Sequence, residues 1–163
     1  MLKLAGNLRE ISFPELMNVY REGNRIAAAR DYPEEPEDYA LELAQEDFRE
    51  YLRDCFFHLE EARYAIWEEE GNYVSALRLE PYKDGLLICA LETAPDCRGK
   101  GYAASLLAAV LQRIQGRFYS HVEKQNIPSL KVHQRCGFRR IRETAAYLDG
   151  SVDSKACTLF LET

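Results

Sequence analysis

The chain has 163 residues, 47% hydrophobic and 29% charged, which suits one soluble domain built on a single core. Its 27 acidic against 21 basic side chains give a formal charge of −6, excluding the broadly basic surface on which nucleic-acid binders depend. No apolar stretch reaches the length of a membrane span or opens the chain as a signal segment, so a cytoplasmic protein with neither nucleic-acid nor membrane partners is expected.

In chain order, Ser12-Phe13-Pro14-Glu15 reads as a helix start, with a capping serine, a proline in the first turn and a glutamate three residues on. That helix is expected to run to about Ala29. Residues 30–38 break it, with Pro33 and Pro36. A second helix follows, marked by Leu41, Ala44, Phe48, Tyr51, Leu52, Cys55 and Leu59 at three- and four-residue spacings. Residues 64–68 and 73–79 read as strands around the Gly71-Asn72 turn. Residues 86–91 are continuously apolar and predict a central strand buried on both faces. A helix over 99–115 carries the apolar stripe Ala103, Leu107, Val110, Leu111 and Ile114, and residues 118–122 form a short strand. Asn126 and Pro128 open a short helix that Gly137 ends. Two last strands, over 138–148 and 156–161, flank the Asp149-Gly150 turn. The order is strand, two helices, three strands, helix, strand, helix, two strands. It predicts a mixed α/β layer fold, taken as one domain over residues 1–163.

Five cysteines, Cys55, Cys89, Cys97, Cys136 and Cys157, show no C-x-x-C pairing, so no metal site is expected and free thiols are. The stretch Thr93-Ala94-Pro95-Asp96-Cys97-Arg98-Gly99-Lys100-Gly101-Tyr102-Ala103 is the most informative. It joins an apolar strand to an amphipathic helix. Gly99 and Gly101 allow close approach to the backbone, the free N–H groups of the helix start favour an anion, and Arg98 and Lys100 add positive charge. A phosphate-bearing ligand follows from these features. The P-loop pattern fails because Tyr102 follows Gly101. Gly99, Gly101 and Ala104, with Glu123 further on, half satisfy a dinucleotide fingerprint, but too little chain follows to complete such a fold.

The loop Arg98-Gly99-Lys100-Gly101-Tyr102-Ala103 resembles the pyrophosphate loop Gln/Arg-x-x-Gly-x-Gly/Ala of the GCN5-related N-acetyltransferases, the GNAT family. Residues 126–138, from Asn126 through Ser129 and His133 to Gly137-Phe138, resemble the family's second block, Asn-x-x-Ala/Ser-x-x-x-Tyr/His-x-x-x-Gly-Phe. The resemblance implies a mostly antiparallel central sheet flanked by helices, an acyl-CoA N-acyltransferase fold with acetyl-CoA as co-substrate. It covers residues 61–163 as the cofactor-binding core and leaves 1–60 as a variable helical acceptor side. Carried over by position, it implies that Leu91 and Thr93 bind the pantetheine arm through their main chain. The amides of Arg98, Gly99, Lys100, Gly101, Tyr102 and Ala103 hold the pyrophosphate, and Asn126 contacts the cofactor across a splayed strand pair. The partner expected is a small-molecule or peptide amine, and a homodimer is open.

Acetyl transfer to an amine needs a base to free the lone pair and donors for the oxyanion, and an acid can protonate the departing thiolate. His133 stands where the family usually has tyrosine and is the expected acid, unless it only packs against the cofactor. Glu92, the only charge near the end of an apolar strand, is the leading base; His121 is next, with Tyr119 unresolved beside it. His58 is expected to be structural or exposed. Asp31, Glu34, Glu35, Glu37 and Asp38 crowd one loop, where a negative rim would attract a cationic acceptor. Two other functions compete: a non-catalytic acyl-CoA sensor, and a dinucleotide-binding oxidoreductase.

Overall fold

Strand pairing begins with the first residues. In the computed structural model, which describes residues 1–163, β1 (Leu2–Ala5) pairs antiparallel with β2 (Arg63–Glu69), and β2 with β3 (Asn72–Tyr82). β3 pairs antiparallel with β4 (Gly85–Thr93), and β4 runs parallel to β5 (Arg117–Glu123). β6 (Arg139–Arg142) lies at the far edge, beyond the strand that closes the chain, so the sheet order is β1-β2-β3-β4-β5-β9-β6, with β9 spanning Ala156–Glu162. Two-residue strands β7 (Ala145–Ala146) and β8 (Val152–Asp153) pair in a separate ribbon. The sheet has one parallel pair among seven strands, so it is mostly antiparallel.

The first expected helix is two. α1 (Phe13–Val19) and α2 (Arg21–Asp31) part at Tyr20, whose ψ of 18° departs from helical geometry. Its hydroxyl donates 2.8 Å to the Ala90 carbonyl of β4, which fixes the kink to the sheet. α3 (Glu37–Asp54) follows Pro36 as expected. Leu16, Val19, Leu52 and Phe56 pack with Tyr64, Ile66 and Ala76 on one face of the sheet. On the other face α4 (Tyr102–Arg113) sets Leu106, Leu107 and Val110 against Leu77, Leu79, Ile88 and Phe118. α5 (Ile127–Arg135) adds Leu130 and Val132 to that layer. No helix is long and apolar enough to cross a membrane.

Two irregularities in β4 create the site. Ala76 pairs with Glu92 and Arg78 with Cys89, so Ala90 and Leu91 stand against Leu77 alone: a β-bulge, with Ala90 at φ 50°. The β4–β5 pairing covers only Leu86, Leu87 and Ile88 against Phe118, Tyr119 and Ser120. Beyond it the strands diverge as a V. The expectation of a strand buried on both faces is thereby corrected: Leu87 and Ile88 are buried, but the second half of β4 faces the opening. The predicted 138–148 strand is also shorter than expected, broken after Arg142.

Candidate active site

The strand-to-helix turn folds as its glycines require. Gly99 and Gly101 take φ values of 77° and 84°, in the left-handed region where a side chain is strained. A Cβ at either would meet nothing within 4 Å, so both backbones face open space. Gly101 caps α4, and the first-turn amides of that helix point out of the turn with the positive end of its dipole.

This turn forms one wall of a cleft of about 700 Å³. Leu91, Glu92 and Thr93 of β4, Arg98, Gly99, Gly101, Tyr102 and Ala103 of the turn, and Asn126 all border it. The Lys100 side chain is exposed and off the cleft wall. Asn126 also caps α5, its side-chain oxygen accepting from the Ser129 amide at 3.2 Å. Sequence reasoning missed two sets of lining residues. Ser129 and Val132 follow Asn126 at three-residue steps, a helical face legible in the spacing, and Arg135 adds a cation near the helix end. Glu22, Gly23 and Ile26 come from α2, which carries no motif.

The cleft is tied across its mouth by two ion pairs from the start of α2. Arg21 meets Asp96 at 2.9 Å and Glu22 meets Arg98 at 2.8 Å. Glu92 extends toward the same helix: a Cβ on Gly23 would lie 3.3 Å from its Oε1. Burial raises the Glu92 pKa above the ordinary carboxylate value; Arg98 opposes the shift and Glu22 reinforces it.

His133 is 1% exposed, packed edge-on to Phe138 with ring centroids 5.2 Å apart. Its Nδ1 lies 2.8 Å from the Ser129 carbonyl oxygen, which can only accept, so Nδ1 carries the hydrogen and Nε2 presents a lone pair with no partner. Burial lowers its pKa, outweighing the hydrogen bond to Ser129. A neutral imidazole in this tautomer has no proton to give at Nε2, and the ring is not on the cleft wall.

The remaining candidates separate cleanly. His121 is the first β5 residue past the last β4–β5 pair, and both its ring nitrogens are buried without partners. Tyr119 lies in the paired half and donates 2.7 Å to Asp84. His58 is exposed. The acidic loop sits at the wrong end of α2: Glu22 borders the cleft, whereas Asp31 lies nine residues on, about 14 Å at the helical rise. Asp31 is also paired with Arg30 at 2.6 Å, and Glu35 and Glu37 line a separate cavity of about 280 Å³. A dinucleotide fold would need further parallel strands after α4, and β5 is followed by antiparallel pairing alone.

Comparison with known proteins agrees with this geometry. A family model described as the acetyltransferase (GNAT) family matches residues 19–138, well over half the chain. No curated protein sequence matches. Among solved structures, the fold is similar to the ribosomal-protein-S18-alanine N-acetyltransferase from Escherichia coli, at TM-score 0.62 and 14% identity over 99% of this chain and 94% of that one. It is also similar to the PaiA N-acetyltransferase from Thermoplasma acidophilum in complex with coenzyme A, at TM-score 0.65 and 12% identity over 100% and 99%. A third is the ribosomal-protein-alanine N-acetyltransferase from Brucella melitensis, at TM-score 0.61 and 16% identity over 100% and 99%. The family match and the glycine turn at the head of α4 together establish that the chain belongs to the GNAT family of acetyltransferases, enzymes that use acetyl-CoA.

Proposed function

We propose that this protein transfers the acetyl group of acetyl-CoA to a primary amine. One observation carries the reading: a turn with two unobstructed left-handed glycines opens a cleft that runs to the point where two central strands part. The residues suit the cofactor. Backbone amides over Arg98, Gly99, Lys100, Gly101, Tyr102 and Ala103 would hold the pyrophosphate, with the Arg98 side chain beside them. Leu91 and Thr93, on the unpaired edge of β4, would bind the pantetheine arm through their main chain, and Asn126 would close the far side. Acetyl-CoA supplies an acetyl group activated as a thioester.

Glu92 would remove the proton that keeps the amine from reacting. A half-buried carboxylate with a raised pKa, unpaired and on the cleft wall, is suited to that exchange. His133 would hold α5 against Phe138 and leave its Nε2 lone pair toward the interior. The departing thiol then needs no dedicated acid, since a thiol of ordinary pKa, about 8.5, leaves readily as thiolate.

The test is thermal unfolding with acetyl-CoA, CoA, NADH or no ligand. A ligand at 100 times its Kd adds about 2.7 kcal/mol, a rise on the order of 5–10 °C for a domain of this size. Acetyl-CoA and CoA are expected to give it and NADH to give none. An equal shift with NADH, or none with acetyl-CoA, would refute the assignment. Thiol release on adding amines then measures transfer.

A further inference from the structure

Four of the five buried side-chain polar atoms without partners fall in one row across the sheet: the Tyr64 hydroxyl, Arg78 Nε and both nitrogens of His121. Strand register sets this row. Tyr64 pairs with Arg78, Arg78 with Cys89, and His121 follows the last β4–β5 pair as Cys89 does on the other side. Opposed residues share a face, so these side chains stand together on the face away from α4. Tyr51 and Phe56 cover one end, with the Arg78 guanidinium 5.0 and 5.8 Å from their ring centres. Tyr82 and Tyr147 stand edge-on to His121 at 5.3 and 4.9 Å. The Cys89 and His121 end of the row lies just past the last β4–β5 pair, two residues along β4 from Leu91 of the cofactor cleft.

Buried polar groups normally have partners, and a group of orphans at one level of a sheet is a place where a ligand would find partners. Arg78 sets the ligand's character. Its guanidinium is permanently charged, on a side chain that is 18% exposed. Glu80 stands 3.7 Å from Nε, beyond hydrogen-bond range, and accepts instead from Tyr51 at 3.4 Å. Nε thus has an ion-pair neighbour and no hydrogen-bond acceptor. The two groups nearest the strand gap hold no charge that would replace it. Burial, with Glu80 adding to it, pushes the Cys89 thiol up to about 12. Burial also lowers the His121 pKa, with Lys83 acting the same way and Asp153 opposing.

Resting on the acetyl-transfer reading, we infer that the acceptor is a small amine that also carries a carboxylate, an amino acid, with Arg78 as the residue that selects it. The carboxylate completes the guanidinium fork. The amine then lies toward Cys89, one strand spacing from Arg78, about 5 Å, which is the scale of a compact amino acid, and His121 stands one strand further on. An amine with no anionic group would leave Arg78 Nε without a hydrogen-bond acceptor.

The experiment pairs each common amino acid with its amide and its decarboxylated amine, and follows thiol release at saturating acetyl-CoA. The wild-type protein is expected to favour the acid over both partners at least tenfold in kcat/KM. Arg78→Gln is expected to abolish the preference while the thermal shift with CoA persists. Should Arg78→Gln not fold, Arg78→Lys, which keeps the charge but not the fork, is expected to weaken it. Equal or better transfer to the partners that lack the carboxylate, an undiminished preference in a folded variant, or no transfer to any amino acid by protein that binds acetyl-CoA would each overturn the inference. Loss of acetyl-CoA binding in the wild type would instead strike the transfer reading, and this inference with it.

Discussion

At Glu92 and His133 the same cause, burial, has opposite consequences for pH. A base works only when deprotonated, so a raised Glu92 pKa moves the acid limb of kcat/KM above the ordinary carboxylate range. Glu92→Gln is expected to remove that limb and lower kcat by ~10²–10⁴. Stability runs the other way. A carboxyl whose folded pKa is raised binds protons more readily when folded, so its contribution is present below the unfolded pKa of about 4.3 and is lost as pH rises through the folded value. Glu92→Gln should therefore raise Tm at neutral pH, with the gain vanishing below about pH 4. An unchanged kcat would exclude Glu92 as the base. For His133 the folded pKa is lowered, so the unfolded chain binds the proton more readily, and stability falls as pH drops from about 6.5 through the folded value. His133→Leu should flatten that loss in thermal melts. It should also keep kcat within about tenfold, against the 10²–10⁴ of a proton donor, and a larger fall would restore the acid role.

Elements make these residues a site, and the glycines show how strain and binding separate. Gly101→Ala and Gly71→Ala both place a methyl at positive φ with nothing within 4 Å. Each should cost about 1–2 kcal/mol of stability. Only the Gly101 methyl stands where a pyrophosphate would approach, so CoA Kd should rise tenfold or more there and stay unchanged for Gly71→Ala; equal affinities would sink the loop assignment. Gly85 is different. Its φ is unstrained, but a Cβ would fall within the van der Waals shell of the Arg117 carbonyl oxygen, at the closed base of the V. Gly85→Ala should lower stability by about 1–3 kcal/mol through overpacking, read in denaturant melts. The sequence carries such local signals well: Asn126 with Pro128 predicts α5, and Gly99 with Gly101 predicts the turn before α4. It does not carry the bulge, because Ala90 is an unexceptional residue whose φ of 50° is imposed by the mismatch between Arg78–Cys89 and Ala76–Glu92 pairing. Nor does it reveal the break at Tyr20, which holds the Ala90 carbonyl from 70 residues away. His133 fits a motif by spacing, yet its tautomer depends on the Ser129 carbonyl one helical turn back. Long-range register and hydrogen bonding decide these points, and neither has a local pattern.

On the scale of the whole molecule, two packed layers share one sheet that is not closed along its middle. Leu16, Leu52, Phe56 and Tyr64 form one core, and Leu106, Leu107, Phe118 and Leu159 the other. Between β4 and β5 the sheet is held by three residue pairs and by α4 packing beneath both strands. The open end of the V therefore lacks the strand pairing that slows amide exchange elsewhere, and local opening there needs few contacts to break. A cofactor arm lying along the free edge of β4 would supply that pairing and fix the turn. Hydrogen exchange with CoA is expected to slow at Leu91 to Thr93 and over 98–103, while β2 and β3, paired along their length on the other side, keep their rates. Uniform slowing across the sheet would mean that the cofactor stabilises the fold as a whole without lying in the V. Slowing confined to α3 would place the ligand away from the cleft. Because both outcomes differ from the expected pattern in position and not only in size, the map of exchange tests where the cofactor binds independently of whether any amine is acetylated.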